Sequence, residues 1–309
     1  MDFSKIKTFP IKNRTHKVSH KNLCSTPTSE RFDGWYDALP DLLGTRDLKE
    51  VARSIAHASS QGREVILAMG AHPIKCGLSP LIVNLMENQI ITCVAMNGAG
   101  AIHDFEMAFI GETSEDVAQT LQDGSFGMVD ETGRLINQAL REGVDDNLGA
   151  GAAIGRHIAM SDYPYHYLSI LAAGRNFGVD VTVHIAIGTD TIHVHPDADG
   201  AVIGKASHLD MMRFTDHISR LSNGVFINLG SAVILPEVFL KALSAVRNLG
   251  HDVTEFTAVN MDMMRHYRPS ENVLKRPALT GANSFDLIGQ HEIMLPLLAA
   301  AVSIERERL

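Results

Sequence analysis

Two stretches of the chain concentrate side chains that could do chemistry. The first, NGAGAIHDFE at residues 97–106, opens with small residues and closes with an imidazole and two carboxylates. Small residues let a backbone come close to a ligand, and a helix starting here would turn free N–H groups toward an anion. His103 is a candidate acid or base, because an imidazole titrates near neutrality, with Asp104 beside it as its orienter. The plain alternative is a tight strand-to-helix turn in which His103 or Asp104 serves as a cap. The second stretch, GTDTIHVHPDADG at residues 188–200, carries His193 and His195 at a two-residue spacing, with Asp190, Asp197 and Asp199 around them. On an extended segment alternate residues face one side, so the pair is expected to share a face and to hold or polarise a substrate. With a carboxylate the pair could also bind a divalent metal, a reading disfavoured by the lack of a further ligand at defined spacing. Lys75, Glu106 and Asp190 are further charged candidates, for each of which a solvated or ion-paired role is the default.

Such residues need elements to position them. Short apolar, β-branched runs at 64–69, 90–96, 179–187, 225–229 and 252–259 read as buried strands, three of them ending at glycine. Helical spacing recurs at 80–87, 131–142, 163–176, 207–221, 236–249 and 292–307. Strand alternating with helix predicts an α/β fold with an open, mostly parallel sheet and helices on both faces. The run GAGAAIG at 149–155 reads as a close helix contact or a helix start rather than a phosphate loop. In an open parallel sheet, ligands bind beyond the carboxyl ends of the strands. The crevice is therefore expected to gather Gly70, Ala71 and His72; Asn97, Gly98, Ala99 and Gly100; Thr189 and Asp190; and Gly230 and Ser231.

Composition narrows the class. The 309 residues are 45% hydrophobic and 20% charged, which suits one globular core without disulfides. A net charge of −9 argues against a nucleic-acid binder. Cys24, Cys76 and Cys93 are scattered and form no metal or disulfide pattern, as suits a reducing, cytoplasmic setting. The N-terminus has no apolar leader, and no run is long enough to span a bilayer. Residues 1–46 read as an N-terminal arm, locally basic over its first twenty-one residues and either solvated or wrapped onto a neighbouring subunit, and 47–309 as a single α/β domain. The methionines read as core packing.

Several segments together resemble deoxyhypusine synthase: GAHPIKCGLSPLI, TCVAMNGAGAIHDFEMAFIG, GVFINLGSAVILPEVFLKAL, RPSENV and HEIMLPLLAAAV, in that order, over roughly residues 60–305. The resemblance implies an NAD-binding α/β fold, with the cofactor at the strand ends, and a homodimer or homotetramer. The family's reacting groups do not carry over. Its substrate-bearing lysine falls at Pro277, with Lys275 displaced nearby; its acidic pair falls at Ile102 and His103; its histidine falls at Pro236. NGAGAIHDFE and LGSAVILPE also resemble segments of the archaeal-type, NAD-dependent ornithine cyclodeaminases, most closely around His103, Asp104 and Glu106. The expectation is an NAD-binding enzyme acting on a small amine- or hydroxyl-bearing molecule, and not a deoxyhypusine synthase. His103, Asp104, His193, His195 and Lys275 are its catalytic candidates. A metal-dependent hydrolase or lyase, or a non-catalytic nucleotide-binding scaffold, are the alternatives.

Overall fold

The structure is a computed structural model that describes residues 2–26 and 32–309. Among the described residues eight strands are formed: β1 (Val18–Ser19), β2 (Val65–Met69), β3 (Cys93–Asn97), β4 (Glu112–Thr113), β5 (Asp180–His184), β6 (Val225–Leu229), β7 (Thr257–Asp262) and β8 (Asn283–Ile288). Six of them make one sheet in the order β5-β3-β2-β6-β7-β8, with every neighbouring pair parallel. β1 and β4 form a separate antiparallel ribbon.

The sheet is buried on both faces, which is why β2 is apolar at every position and β6 at every position but Asn228, rather than alternately. Val65, Leu67 and Met69 of β2 face a core built from the helices Leu43–Ser60, Ser79–Glu87, Gly98–Ile110, Ile170–Phe177 and His291–Glu307. Ile66 and Ala68 face the opposite core, with Phe226 and Ala258, against the helices Gly200–Ser219 and Ile234–Asn248. The expected fold class is what the chain adopts.

Element boundaries differ from the sequence expectation for local reasons. β3 starts at Cys93 because Ile90 and Ile91 close the turn after the preceding helix, their N–H groups both donating to the Leu85 carbonyl. The helix expected from 163 starts instead at Ile170, where the Ser169 hydroxyl accepts from Ala172 N at 2.9 Å. The helix expected from 207 starts at Gly200, capped by Asp199. β7 lies later than the run at 252–259. β8 has a polar–apolar pattern and was not anticipated.

The GAGAAIG run is a helix start pressed onto its neighbours. A Cβ at Gly151 would lie 1.8 Å from the Val181 carbonyl oxygen, and one at Gly155 2.3 Å from that of Leu171. The anion-attracting start of this helix is taken by the chain's own Asp210, which accepts from Gly151 N at 2.8 Å and from Val183 N at 2.7 Å. Burial pushes the Asp210 carboxyl up to about 7, against the pull of those N–H groups. Residues 9–20 lie along the body of their own subunit as a strap. Phe9 pairs with Val129, Ile11 is buried, and Val18 and Ser19 pair with Thr113 and Glu112. Among the described residues no helix is long and apolar enough to cross a membrane.

At the amino edge of the sheet, His217 lies between Glu64 (3.0 Å) and Asp180 (2.9 Å), and Arg220 also reaches Glu64. Burial opposes protonation of His217, but the two carboxylates outweigh it and lift the ring to about 9. The folded value thus lies above the unfolded one near 6.5, so this stabilisation is full below that pH and is lost as pH rises through about 9. Urea unfolding of the wild type is expected to lose on the order of 2–3 kcal/mol between neutral and strongly basic pH. His217→Gln should be less stable at neutral pH and show a flatter profile; parallel profiles would contradict the assignment.

Candidate functional site

At the carboxyl edge, β3 runs directly into the helix Gly98–Ile110, whose first turn is capped by Asn97, its side-chain oxygen accepting from Gly100 N at 2.9 Å. His103 and Glu106 are three residues apart on this helix and so share a face. Against that face lies a cavity of about 220 Å³, walled in part by Lys75, Ala99, His103, Glu115, Thr189 and Asp190.

The wall behind the imidazole is a chain of hydrogen bonds. His103 Nδ1 lies 2.7 Å from Thr113 Oγ1, and the Thr113 hydroxyl donates to Glu106 Oε2 at 2.5 Å. Arg14, from the strap, donates to the same oxygen at 2.7 Å, and Thr132 donates to Glu106 Oε1 at 3.0 Å. The Arg14 and Glu106 side chains are only 6% and 1% exposed, so each charge depends on the other. Burial alone would push the Glu106 carboxyl up; the adjacent guanidinium, helped by the hydrogen bonds from Arg14 and Thr113, holds it below the usual carboxylate range. Burial depresses His103 to about 4, only partly offset by Glu106, so the ring is neutral at physiological pH.

Asp104 does not orient His103, a correction to the sequence reading. Adjacent helical residues point about 100° apart, and Asp104 faces the core. Its oxygens accept from Ser169 Oγ (2.5 Å), Ile170 N (2.8 Å) and Leu171 N (3.1 Å), tying down the start of the next helix. Burial lifts its carboxyl to about 6.

His193 and His195 also depart from expectation. Residues Thr191–Val194 form a three-ten turn rather than an extended segment, so the two rings diverge. His193 Nδ1 accepts from Gly188 N at 3.0 Å, while His195 packs on Gly133, where a Cβ would lie 2.2 Å from its ring. Among the described residues no three His, Cys, Asp or Glu side chains are grouped to hold a metal. Asp190, in contrast, reaches the cavity. Burial lifts it to about 6, and its Oδ2 is buried with no hydrogen-bond partner, 3.7 Å from His193 Nε2.

The glycines of the strand-end turns are largely explained by contacts inside the protein. A Cβ at Gly98 would lie 2.1 Å from the Asp190 carboxylate, one at Gly70 2.6 Å from the Gly230 carbonyl oxygen, and one at Gly230 2.6 Å from the His291 ring. Gly100 packs on Met96. Ser231 accepts from Leu235 N at 3.2 Å, and Ala71 and His72 open a short helix, with His72 edge-on to His291 at 5.3 Å. Lys275 is not at the site. It lies on the segment Pro269–Lys275, which packs on the helix Ile234–Asn248 and on β7, and its exposed ammonium pairs with Glu271. The structure therefore brings together Lys75, Ala99, His103, Glu106, Thr189 and Asp190 of the expected residues. It adds Arg14, Thr113 and Glu115, which no local pattern marked.

A dinucleotide does not fit the 220 Å³ cavity, which is smaller than the roughly 300–1,000 Å³ typical of pockets for larger ligands. A more open hollow of about 500 Å³ lies beyond the end of β5, between the helices Gly200–Ser219 and Ile234–Asn248, lined by Ile185, Ile187, Met211 and Val233. The same carboxyl edge presents buried polar atoms without hydrogen-bond partners: Asp190 Oδ2, His193 Nε2, Asn228 Oδ1 and both ring nitrogens of His291.

The sequence matches no protein-family model and no curated protein. The fold does match solved structures. A protein assigned as a deoxyhypusine synthase from Entamoeba histolytica aligns over 96% of both chains, with a TM-score of 0.52 and 8% identity. A variant of AgrE bound to L-arginine aligns over 84% of this chain with a TM-score of 0.52 and 13% identity. The present chain spans only 32% of AgrE. A protein of the LOR/SDH type from Methanococcus maripaludis aligns over 84% of this chain and 69% of its own, at a TM-score of 0.50 and 17% identity. At these identities the likeness is one of fold.

The contact between Gly98 and Asp190 can be tested directly. Gly98→Ala should destabilise the protein by about 1–3 kcal/mol, because the new methyl group meets a carboxylate. Gly98→Ala combined with Asp190→Ala should recover part of that loss in denaturant unfolding; no recovery would show that the two positions are not in contact.

Proposed function

We propose that this protein is an NAD-binding enzyme that acts on a small amine- or hydroxyl-bearing substrate in the cavity beside His103. The observation that carries the reading is His103 itself: a half-buried, neutral imidazole bordering a small cavity with charged side chains in its wall and backed by a hydrogen-bonded carboxylate. Being neutral, such a ring keeps a lone pair that can accept a proton from a bound N–H or O–H group. NAD, when bound, would supply a hydride acceptor for the carbon bearing that group.

The cavity also limits the substrate. Asp190 Oδ2 and Glu115 Oε2 are buried acceptors with no hydrogen-bond partner, ready for an ammonium or hydroxyl donor. Lys75, an exposed cation, lines the same cavity and can meet an anionic group. For the cofactor, the hollow beyond β5 would hold an aromatic ring, and the unpaired atoms of Asn228 and His291 would take polar groups.

Aminobutyl transfer of the deoxyhypusine synthase kind does not suit the site. Pro277 occupies the position of that family's lysine, and Lys275 is at the surface with Glu271. AgrE is also known in a complex with ornithine and NAD+, but the reading for this chain rests on its own residues. The assembly is taken as a homodimer or homotetramer; a monomer at micromolar concentration in analytical ultracentrifugation would remove that part.

Calorimetric titration with NAD+ should show sub-millimolar binding, and no detectable binding would overturn the proposal. In a panel of small amines and hydroxy acids followed by NADH absorbance, His103→Gln should keep NAD+ affinity and lose about 10²–10⁴-fold in turnover. Unchanged turnover would remove His103 from the chemistry.

A further inference from the structure

We propose that Arg14, carried on the N-terminal strap, sets the tautomer of His103 through Glu106 and Thr113. The strap is then a working part of the site rather than a peripheral arm. Arg14 acts here as a positioning residue, and the catalytic consequence rests on the function proposed above.

The argument follows protons along the hydrogen bonds. A guanidinium is charged at every accessible pH. Arg14 Nη2 lies 2.7 Å from Glu106 Oε2 in a buried setting, where a carboxylate without a cation would take up a proton. Beside Arg14, Glu106 stays ionised and can only accept. The Thr113 hydroxyl, 2.5 Å from the same oxygen, must therefore spend its one proton on Glu106. Thr113 then has only lone pairs to offer His103 Nδ1, 2.7 Å away, so Nδ1 carries the ring proton. The neutral ring has one remaining nitrogen, Nε2, and its lone pair is left free to act as a base.

Without Arg14 the chain can run the other way. Glu106 would be protonated and donate to Thr113, Thr113 would donate to Nδ1, and the ring proton would move to Nε2. The ring would then present a donor where a base is needed.

The strap is held at both ends of this relay. Phe9 N donates to the Met128 carbonyl at 3.0 Å, Ile11 N to Glu131 Oε2 at 2.7 Å, and Lys17 N to the Ser114 carbonyl at 3.0 Å. Val18 pairs directly with Thr113, the middle member. The charged groups around the ring come from separate elements: Glu106 from its own helix, Arg14 from the strap, Lys75 from the helix His72–Lys75, Glu115 from the segment after β4, and Asp190 from the segment after β5. Of these only Glu106 is joined to His103 through a shared hydroxyl.

The test reads the tautomer in the full-length protein. With ¹⁵N-histidine labelling, two-bond proton–nitrogen spectra at neutral pH distinguish Nδ1–H from Nε2–H, and His103→Gln identifies the His103 signals. The wild type and Arg14→Lys should be dominantly Nδ1–H, and Arg14→Gln should become dominantly Nε2–H. Thr113→Val, which leaves the Arg14–Glu106 pair in place, should give a mixture. A wild-type ring carrying its proton on Nε2 would overturn the proposal. So would a folded Arg14→Gln or Thr113→Val protein that keeps the wild-type tautomer. If Arg14→Gln does not fold, Thr113→Val alone decides. NAD+ titration of the same samples separates the two claims: the expected tautomers without NAD+ binding retain the relay and remove the enzyme reading, and the converse removes only the relay.

Discussion

A sheet that is parallel throughout sends the carboxyl ends of all its strands to one edge. In this chain that constraint governs both stability and chemistry. Every return from one strand to the next crosses a face of the sheet, so both faces are covered and the central strands carry mostly apolar residues on both sides. The carboxyl edge is where the turns, helix starts and unpaired polar atoms gather. The opposite edge carries the His217–Glu64–Asp180 network, whose charged groups are paired with one another.

Three carboxylates inside the molecule show how differently a buried charge can be handled. Asp104 and Asp210 lie at helix starts and are held by backbone N–H groups. Those donors do not fully offset burial, and the carboxyls rise to about 6 and about 7. Glu106 has a full positive charge beside it and stays below the ordinary range. Asp104 and Asp210 fasten one helix to its neighbours. Glu106 is connected to the cavity, through Thr113 and His103, so its charge state can influence what the imidazole does.

The glycine-marked turns illustrate a related point. A missing side chain leaves room, but the room need not belong to a ligand. At Gly98 it is taken by the Asp190 carboxylate, at Gly70 by a carbonyl, and at Gly230 by an imidazole. Close packing of the turns makes the edge rigid and leaves the openings elsewhere: a small cavity with charged side chains in its wall beside His103 and an apolar hollow beyond β5. Rigid surroundings of this kind keep acid–base groups in place.

The residue pattern by itself determined five of the six strands of the main sheet, most of the helices and the placement of His103 just beyond the carboxyl end of a strand. Runs such as VILAM and VFINL, short, β-branched and ending at glycine, read as buried strands, and strands formed there. Strand β8 escaped notice because half of its residues are polar and it lies at the sheet edge. Misplaced roles had local causes too. A three-ten turn replaced the extended geometry assumed for His193 and His195, and helical rotation turned Asp104 away from its neighbour. What only the tertiary structure decided was the company each charge keeps. Arg14 and Glu106 are 92 residues apart, and nothing in the spacing of either announces the other. Periodicity is a property of adjacent residues, whereas neutralising a buried charge requires whichever cation the folded chain brings within reach.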